Sequence, residues 1–192
     1  AALSAAGIAT VPTIAVDTLD ESALAAARIE FGTAELIVKP PVSAGADGTF
    51  RLAIGDQLPD AALGRRMMIQ PFQRSVTTQG ELSLLMFGGQ LSHALVKRPK
   101  SGDYRVQPHL GGSETICEAP PEAIALAYAA LAQTPTPATY ARVDLIADEA
   151  GAWQVMELEL IEPALWLPRA PGSAARFAAA IRAQAEQILA QR

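Results

Sequence analysis

Tyr140-Ala-Arg-Val-Asp-Leu-Ile-Ala-Asp-Glu-Ala-Gly-Ala-Trp-Gln-Val-Met-Glu-Leu-Glu-Leu-Ile-Glu-Pro163 is the stretch on which the reading of this chain turns. Two runs, 140–147 and 153–161, are rich in aliphatic, aromatic and β-branched residues, and Asp148-Glu-Ala-Gly151 between them has the composition of a turn. This pattern predicts an antiparallel hairpin. A tight turn sets Asp144 opposite a residue within about two positions of Glu157. Alternation along the second strand puts Glu157 and Glu159 on one face and Met156, Leu158 and Leu160 on the other. The apolar content of 156–161 reads as a central strand. Three carboxylates gathered on one face repel one another, so water, a Lys or Arg, or a hard divalent cation must offset them. A solvated strand face is the ordinary explanation of a single Glu-Leu-Glu; the independent arrival of Asp144 from the neighbouring strand favours a metal site.

Working outward, the segment 120–133 reads as a helix with proline in its first turn, and 173–191 as a terminal helix. Upstream, 81–87 and 91–97 form a hairpin around Gly88-Gly89-Gln90, whose glycines supply the positive backbone angles such a turn needs. A further strand is expected at 104–107 and a loop at 110–113. Strands are expected at 12–16, 35–40, 50–54 and 66–72, the last ending in Gln70-Pro71-Phe72, where proline limits further pairing. Thr18-Leu-Asp-Glu21 suits a capping box opening a helix through about residue 29, and 58–63 reads as a short helix. The expected fold is α+β, in two lobes: a smaller one over 1–72 and a larger one over 73–192.

Composition narrows the function classes. Half of the 192 residues are hydrophobic, enough for a substantial core. The formal charge is -5, and no basic stretch interleaved with aromatics offers a nucleic-acid surface. The single cysteine, Cys117, excludes an internal disulfide and a cysteine-based zinc cage, which fits a reducing, cytoplasmic setting. His93 and His109 are the only histidines and read as structural. The longest apolar helix candidate, 124–132, is too short to span a bilayer, so no membrane partner is expected. The first residues lack the basic flank and apolar run of a signal peptide, and without an initiator methionine the chain reads as starting inside a larger protein.

Two further groups carry chemistry. Lys39 ends an apolar strand just before a loop with Ser43, Gly45 and Gly48, so an ammonium and several backbone N–H groups can face an anion. The loop is not the GxxxxGK[ST] phosphate pattern, and most short hairpin loops of this kind bind nothing. Lys97, Arg98, Lys100 and Arg105 cluster after the glycine hairpin in an otherwise acidic chain; a solvated surface is the default reading. Cations, carboxylates and a glycine loop facing one another suit a magnesium-bound polyphosphate.

The order of Gly7-Ile-Ala-Thr-Val-Pro-Thr13, Leu36-Ile-Val-Lys-Pro-Pro41, Ile69-Gln-Pro-Phe72, Gly80-Glu-Leu-Ser83, Ser92-His-Ala-Leu-Val-Lys-Arg-Pro99, Tyr104-Arg-Val-Gln107, Gly111-Gly112, Arg142-Val-Asp144 and Glu157-Leu-Glu159 resembles an ATP-grasp ligase over nearly the whole chain. Within that superfamily it is similar to the glutathione synthetase and ribosomal-protein glutamate ligase group, and Gly80-Glu-Leu-Ser83 and Glu157-Leu-Glu-Leu-Ile-Glu-Pro163 are similar to the O-ureidoserine cyclo-ligases of cycloserine biosynthesis. The resemblance implies two lobes with mainly antiparallel sheets and the nucleotide in the cleft between them. It implies that Lys39 reaches the phosphates of ATP, that the loop with Ser43, Gly45 and Gly48 closes over them, and that Gln70, Pro71 and Phe72 line the adenine pocket through backbone groups. Glu81 carries over as a polar pocket residue. Lys97 and Arg105 match catalytic cations contacting phosphate or the acyl intermediate. Asp144, Glu157 and Glu159 match the ligands of Mg2+, with Mn2+ as the alternative ion.

The chain also departs from the family pattern. The last metal position is often asparagine, where Glu159 stands here, and Glu162 is either a rival ligand or a substrate contact. The family's substrate-binding domain and an additional nucleotide-binding lysine normally lie upstream of a segment like Ala1-Ala-Leu-Ser-Ala-Ala-Gly7, so the chain reads as the ATP-grasp portion alone. The implied activity is ligation of a small-molecule carboxylate to an amine through an acyl phosphate; a nucleotide-binding or regulatory module without turnover is the alternative. Leu165-Trp-Leu167 fits either the interface of a homo-oligomer or the core.

Overall fold

The computed structural model describes residues 2–191. They form two compact units, Val11–Gln73 and the residues from Arg74 onward together with those preceding Val11. After the short helix α1 (Ala2–Ala5), the smaller unit comprises β1 (Ile14–Val16), α2 (Glu21–Phe31), β2 (Leu36–Lys39), β3 (Phe50–Leu52) and β4 (Met67–Pro71). Its sheet has the order β1-β4-β2-β3, antiparallel throughout. Leu24 and Ala27 of α2 are buried with Leu19, Leu36, Val38 and Ile69, the unit's own core.

Two expectations need correction in this unit. The helix is capped by Asp20, whose carboxylate accepts from the Ala23 amide at 2.8 Å, rather than by a box starting at Thr18. The cause is Leu19: it is fully buried, its amide donates to Arg65 O and its carbonyl accepts from Gly64, so the chain is still extended there. The helix expected over 58–63 is a single turn closed by the Ala62 and Leu63 amides on Pro59 O.

The larger unit contains α3 (Ser75–Thr78), β5 (Glu81–Phe87), β6 (Gln90–Arg98), β7 (Ser113–Cys117), α4 (Pro121–Leu131), β8 (Tyr140–Ala147), β9 (Trp153–Glu159) and α5 (Ser173–Ala190). Its five strands run in the order β7-β6-β5-β8-β9, all antiparallel. Gly88 and Gly89 have φ of 56° and 75°, the positive angles a two-residue hairpin turn requires. β5 is buried along its whole length. Its residues 82, 84 and 86 join Val143 and Leu145 under Ala123, Ala127 and Ala130 of α4. On the opposite face Leu85 and Phe87 pack with Tyr140 and with Phe177 and Ala180 of α5, whereas Glu81 and Ser83 begin that same face with polar groups. One face of the central strand thus changes from charged to apolar along its length.

Three expectations differ here. β9 is an edge strand, not a central one; its outer side receives Thr10, whose segment bridges Val155 in parallel, with the Val155 amide donating to Ala9 O at 2.9 Å. This pairing, with Leu3 and Ile8 packed on the larger core, places residues 2–10 with the larger unit rather than in the smaller lobe expected over 1–72. The strand expected at 104–107 is a loop, and the strand that pairs with β6 is β7. Gly112 lies so close to this loop that a Cβ there would stand 2.1 Å from Val106 O.

Candidate functional site

The site grows from cross-strand pairs on the polar face of the larger sheet. Glu81 lies opposite Lys97, Ser83 opposite Asp144, Asp144 opposite Glu157 and Arg142 opposite Glu159. Directly opposed residues of an antiparallel sheet hold their Cβ atoms about 5 Å apart, so register alone concentrates these groups. A bulge between Asp144 and Leu145 shifts the pairing after Glu157, which sets Val155 rather than Met156 opposite Leu145.

Asp144 is the centre of the arrangement and is fully buried. Its Oδ1 accepts from the Ser83 hydroxyl, from Lys97 Nζ at 3.3 Å and from Arg142 Nε at 3.2 Å; its Oδ2 accepts from Arg142 Nε at 2.9 Å. Lys97 also pairs with Glu81, and Arg142 with Glu159. Ligand oxygens of Asp144, Glu157 and Glu159 lie within 4.8 Å of one another.

Electrostatics follow from this crowding. Burial disfavours the charged form of Asp144, yet Lys97, Arg142 and the Ser83 hydroxyl outweigh it and hold the carboxyl below its ordinary range. Burial likewise opposes the Lys97 ammonium and the Arg142 guanidinium, but the adjoining carboxylates more than compensate and hold both protonated. Glu81 is the reverse case: burial, with help from Asp144 and Glu157, overcomes Lys97 and pushes its carboxyl up to about 7. Burial also raises Glu159, against the pull of Arg142. The geometry therefore keeps Asp144 ionised while its neighbours carry the strain of excess negative charge.

The donor set fits a hard divalent cation. All three clustered groups are carboxylates, the ligand type that Mg2+ and Mn2+ take from proteins, and none is a soft sulfur or an imidazole.

The remaining sequence-derived candidates fall in different places. Arg105 is bound by both oxygens of Asp103, Nε at 3.1 Å and an Nη at 2.9 Å, and this pairing holds Asp103 well below the usual carboxylate range. Its ion pair is with that residue rather than with the three carboxylates. In the smaller unit, Lys39 ends β2 half-buried, and Ser43, Gly45 and Gly48 lie in the β2–β3 connection, where Gly45 and Gly48 have φ of 64° and 66°. Gln70 Nε2 donates to Thr13 Oγ1 at 2.9 Å, and the Phe72 amide donates to Glu35 O at 3.0 Å, so these two groups serve the unit's own structure. Pro71 pairs with Leu36 at the end of β4, and the Arg51 guanidinium stacks 3.9 Å from the centre of the Phe72 ring.

Arg142 and Ser83 lie within the sequence motifs but carry no role that the sequence alone assigns. Period two holds the signal for both: Arg142 is two residues before Asp144, and Ser83 two after Glu81, so each shares its neighbour's face.

No protein-family model matches the chain. The cycloserine biosynthesis protein DcsG of Streptomyces lavendulae is 34% identical over 127 residues, 62% of this chain and 42% of that protein. The chain thus spans less than half the length of this curated relative. The crystal structure of D-cycloserine synthetase DcsG superposes with a TM-score of 0.83 at 28% identity, over 95% of this chain and 67% of the other. The ATP-grasp ligase PsnB complexed with a minimal precursor gives a TM-score of 0.68 at 18% identity, over 94% of this chain and 57% of PsnB. The D-alanine–D-alanine ligase of Bacillus anthracis gives 0.69 at 19%, over 97% of this chain and 65% of that enzyme. At such identities the last two speak to fold alone.

Proposed function

From the premise that the chain has the fold of the ATP-grasp ligases and resembles DcsG in sequence as well, we propose that it is the catalytic portion of an ATP-dependent ligase joining a small-molecule carboxylate to an amine. The observation that carries this reading is the meeting of Asp144, Glu157 and Glu159 with Lys97 and Arg142 on one polar sheet face. In the proposed reaction the γ-phosphoryl group of ATP passes to a carboxylate oxygen of the substrate and ADP leaves. The amine nitrogen then attacks the acyl carbon, phosphate departs with the C–O electron pair, and the nitrogen loses a proton.

Asp144, Glu157 and Glu159 would hold Mg2+, which would supply charge neutralisation for the polyphosphate. The chain's own groups do the rest by position. Asp144, kept ionised by its cations, presents a fixed negative oxygen that needs no proton loss before use. Lys97, protonated and anchored by Glu81, is a cation of fixed place suited to offset charge on a migrating phosphoryl group. Ser83 locks the Asp144 carboxylate from the neighbouring strand. Lys39 and the loop of Ser43, Gly45 and Gly48 are assigned to the nucleotide phosphates, Gln70, Pro71 and Phe72 to the adenine, and Arg105 to phosphate once released from Asp103. No side chain need become a covalent nucleophile.

The test is thermal unfolding of the chain with ADP or ATP, with and without Mg2+. A ligand that binds only the folded state adds about 2.7 kcal/mol at about one hundred times its Kd, a rise in Tm of about 5 °C or more. A Mg2+-dependent rise that vanishes in the Glu157→Gln, Glu159→Gln double variant is expected. No rise at millimolar nucleotide would overturn the assignment for this chain.

A further inference from the structure

The chain after β9 passes over the charged end of the sheet in a conformation that proteins rarely adopt without need. Among the described residues three that are not glycine have positive φ, and two of them, Glu162 at 44° and Trp166 at 46°, lie just beyond Glu159. For a residue as bulky as tryptophan the left-handed region is sterically costly, and such outliers persist only where the surroundings over-determine them. Trp166 is held on both sides. The Leu165 carbonyl accepts from His93 Nε2 at 3.0 Å, the Leu167 carbonyl from Ser173 Oγ at 2.8 Å, and the Trp166 carbonyl from the Arg169 amide at 2.9 Å. Arg169 is itself tied to Glu114 of β7 at 3.1 Å.

This clasped backbone delivers the indole to the cations of the site. The ring centre is 5.5 Å from Arg142 Cζ and 6.0 Å from Lys97 Nζ, both within the reach of a cation–π attraction. We infer that Trp166 is a positioning residue of the carboxylate site, whose aromatic face holds Lys97 and Arg142 in the places from which they meet Asp144. The functional half of this inference rests on the ligase reading, in which Lys97 faces phosphate and Arg142 holds Asp144 and Glu159 beside it. An aromatic face suits the task. It attracts two cations without adding a fixed negative charge that would neutralise them, and it takes none of the N–H groups that the carboxylates use. A Leu would fill space but provide no attraction, and a Glu would form new ion pairs and compete with Asp144.

The test separates this role from the ligase reading. In the unliganded wild-type chain, nuclear magnetic resonance should show the Lys97 Hε and Arg142 Hδ protons displaced upfield by the indole ring current; ordinary shifts for both would overturn the inference even if every variant failed to fold. Trp166→Leu should speed solvent exchange of the Arg142 Nε proton, and Trp166→Phe should restore its protection. Equal protection in wild type and Trp166→Leu would also overturn it. Binding of Mg·ADP, followed by calorimetry, should weaken about tenfold in Trp166→Leu and recover in Trp166→Phe; unchanged affinity would refute the functional half. If the wild type fails to bind Mg·ADP, the ligase reading falls, and the resonance measurements alone decide whether the indole positions the two cations.

Discussion

Asp144 and Glu157 face each other across β8 and β9, yet removing charge at each has a different consequence because their surroundings differ. Asp144 is buried and is the common acceptor of Ser83, Lys97 and Arg142. Asp144→Asn keeps the shape but leaves two buried cations short of their central partner. Breaking a buried pair from one side costs about 3–5 kcal/mol, and the variant should show a loss of that size in urea unfolding. Glu157 is exposed, and Glu157→Gln should change stability by about 0.5 kcal/mol or less, as for surface positions generally. It should nevertheless abolish the Mg2+-dependent part of the nucleotide response. Equal destabilisation by the two substitutions would show that Glu157 belongs to the structural network and not to a ligand site. The same contrast explains what was legible at this scale. The three carboxylates stand out because acidic residues in apolar strands are conspicuous. Arg142 and Ser83 do not, since an arginine or serine in a strand reads as surface until the paired register shows what lies opposite.

His93 on β6 links three elements and makes the stability of their junction depend on pH. Arg176 Nε of α5 donates to Ser92 Oγ at 3.0 Å, which leaves the Ser92 hydroxyl proton for His93 Nδ1, also at 3.0 Å, while Nε2–H donates to Leu165 O. This chain of donors assigns the neutral tautomer. Burial first, and then the Arg176 charge, depress the imidazole against the favourable pull of the Leu165 carbonyl, so its folded pKa lies below 6.5. The folded state therefore binds fewer protons than the unfolded one below that pH, and stability falls with falling pH. The contribution is complete above about 6.5 and is lost as pH drops from there through the depressed folded value. His93→Gln should flatten the dependence of the urea midpoint over this window, and an unchanged slope would remove His93 as its source. The elements themselves were readable to different degrees. β5, β6, β8 and α4 follow from period, glycine turn and helix-opening proline. β7 escapes the sequence because Ser113-Glu-Thr-Ile-Cys117 is an edge strand with three of its five residues exposed, and the place of β9 escapes it because edge and centre differ in pairing, which apolar content does not encode.

At the scale of the whole molecule the division into two units was visible near Phe72, where proline ends β4, and the structure sets it between Gln73 and Arg74. What could not be read was the return of the first residues to β9: Ala9 and Thr10 give no local sign of a partner some 145 positions away, Val155. Each unit has its own buried cluster, Leu19, Leu24 and Ile69 in the smaller and Leu84, Val143 and Leu145 in the larger. Proteins open in cooperative pieces that follow such clusters, which makes a core truncation in one unit a local perturbation. Leu24 is 1% exposed, so Leu24→Ala forfeits its burial and leaves a cavity, at about 2–5 kcal/mol. The expected result is faster amide hydrogen exchange across α2, β2 and β4, with the protection of β5 and β8 unchanged. Uniform acceleration through all five elements would mean that the two clusters unfold as one. The localised outcome would instead assign the smaller unit, with Lys39 and its glycine loop, a stability of its own.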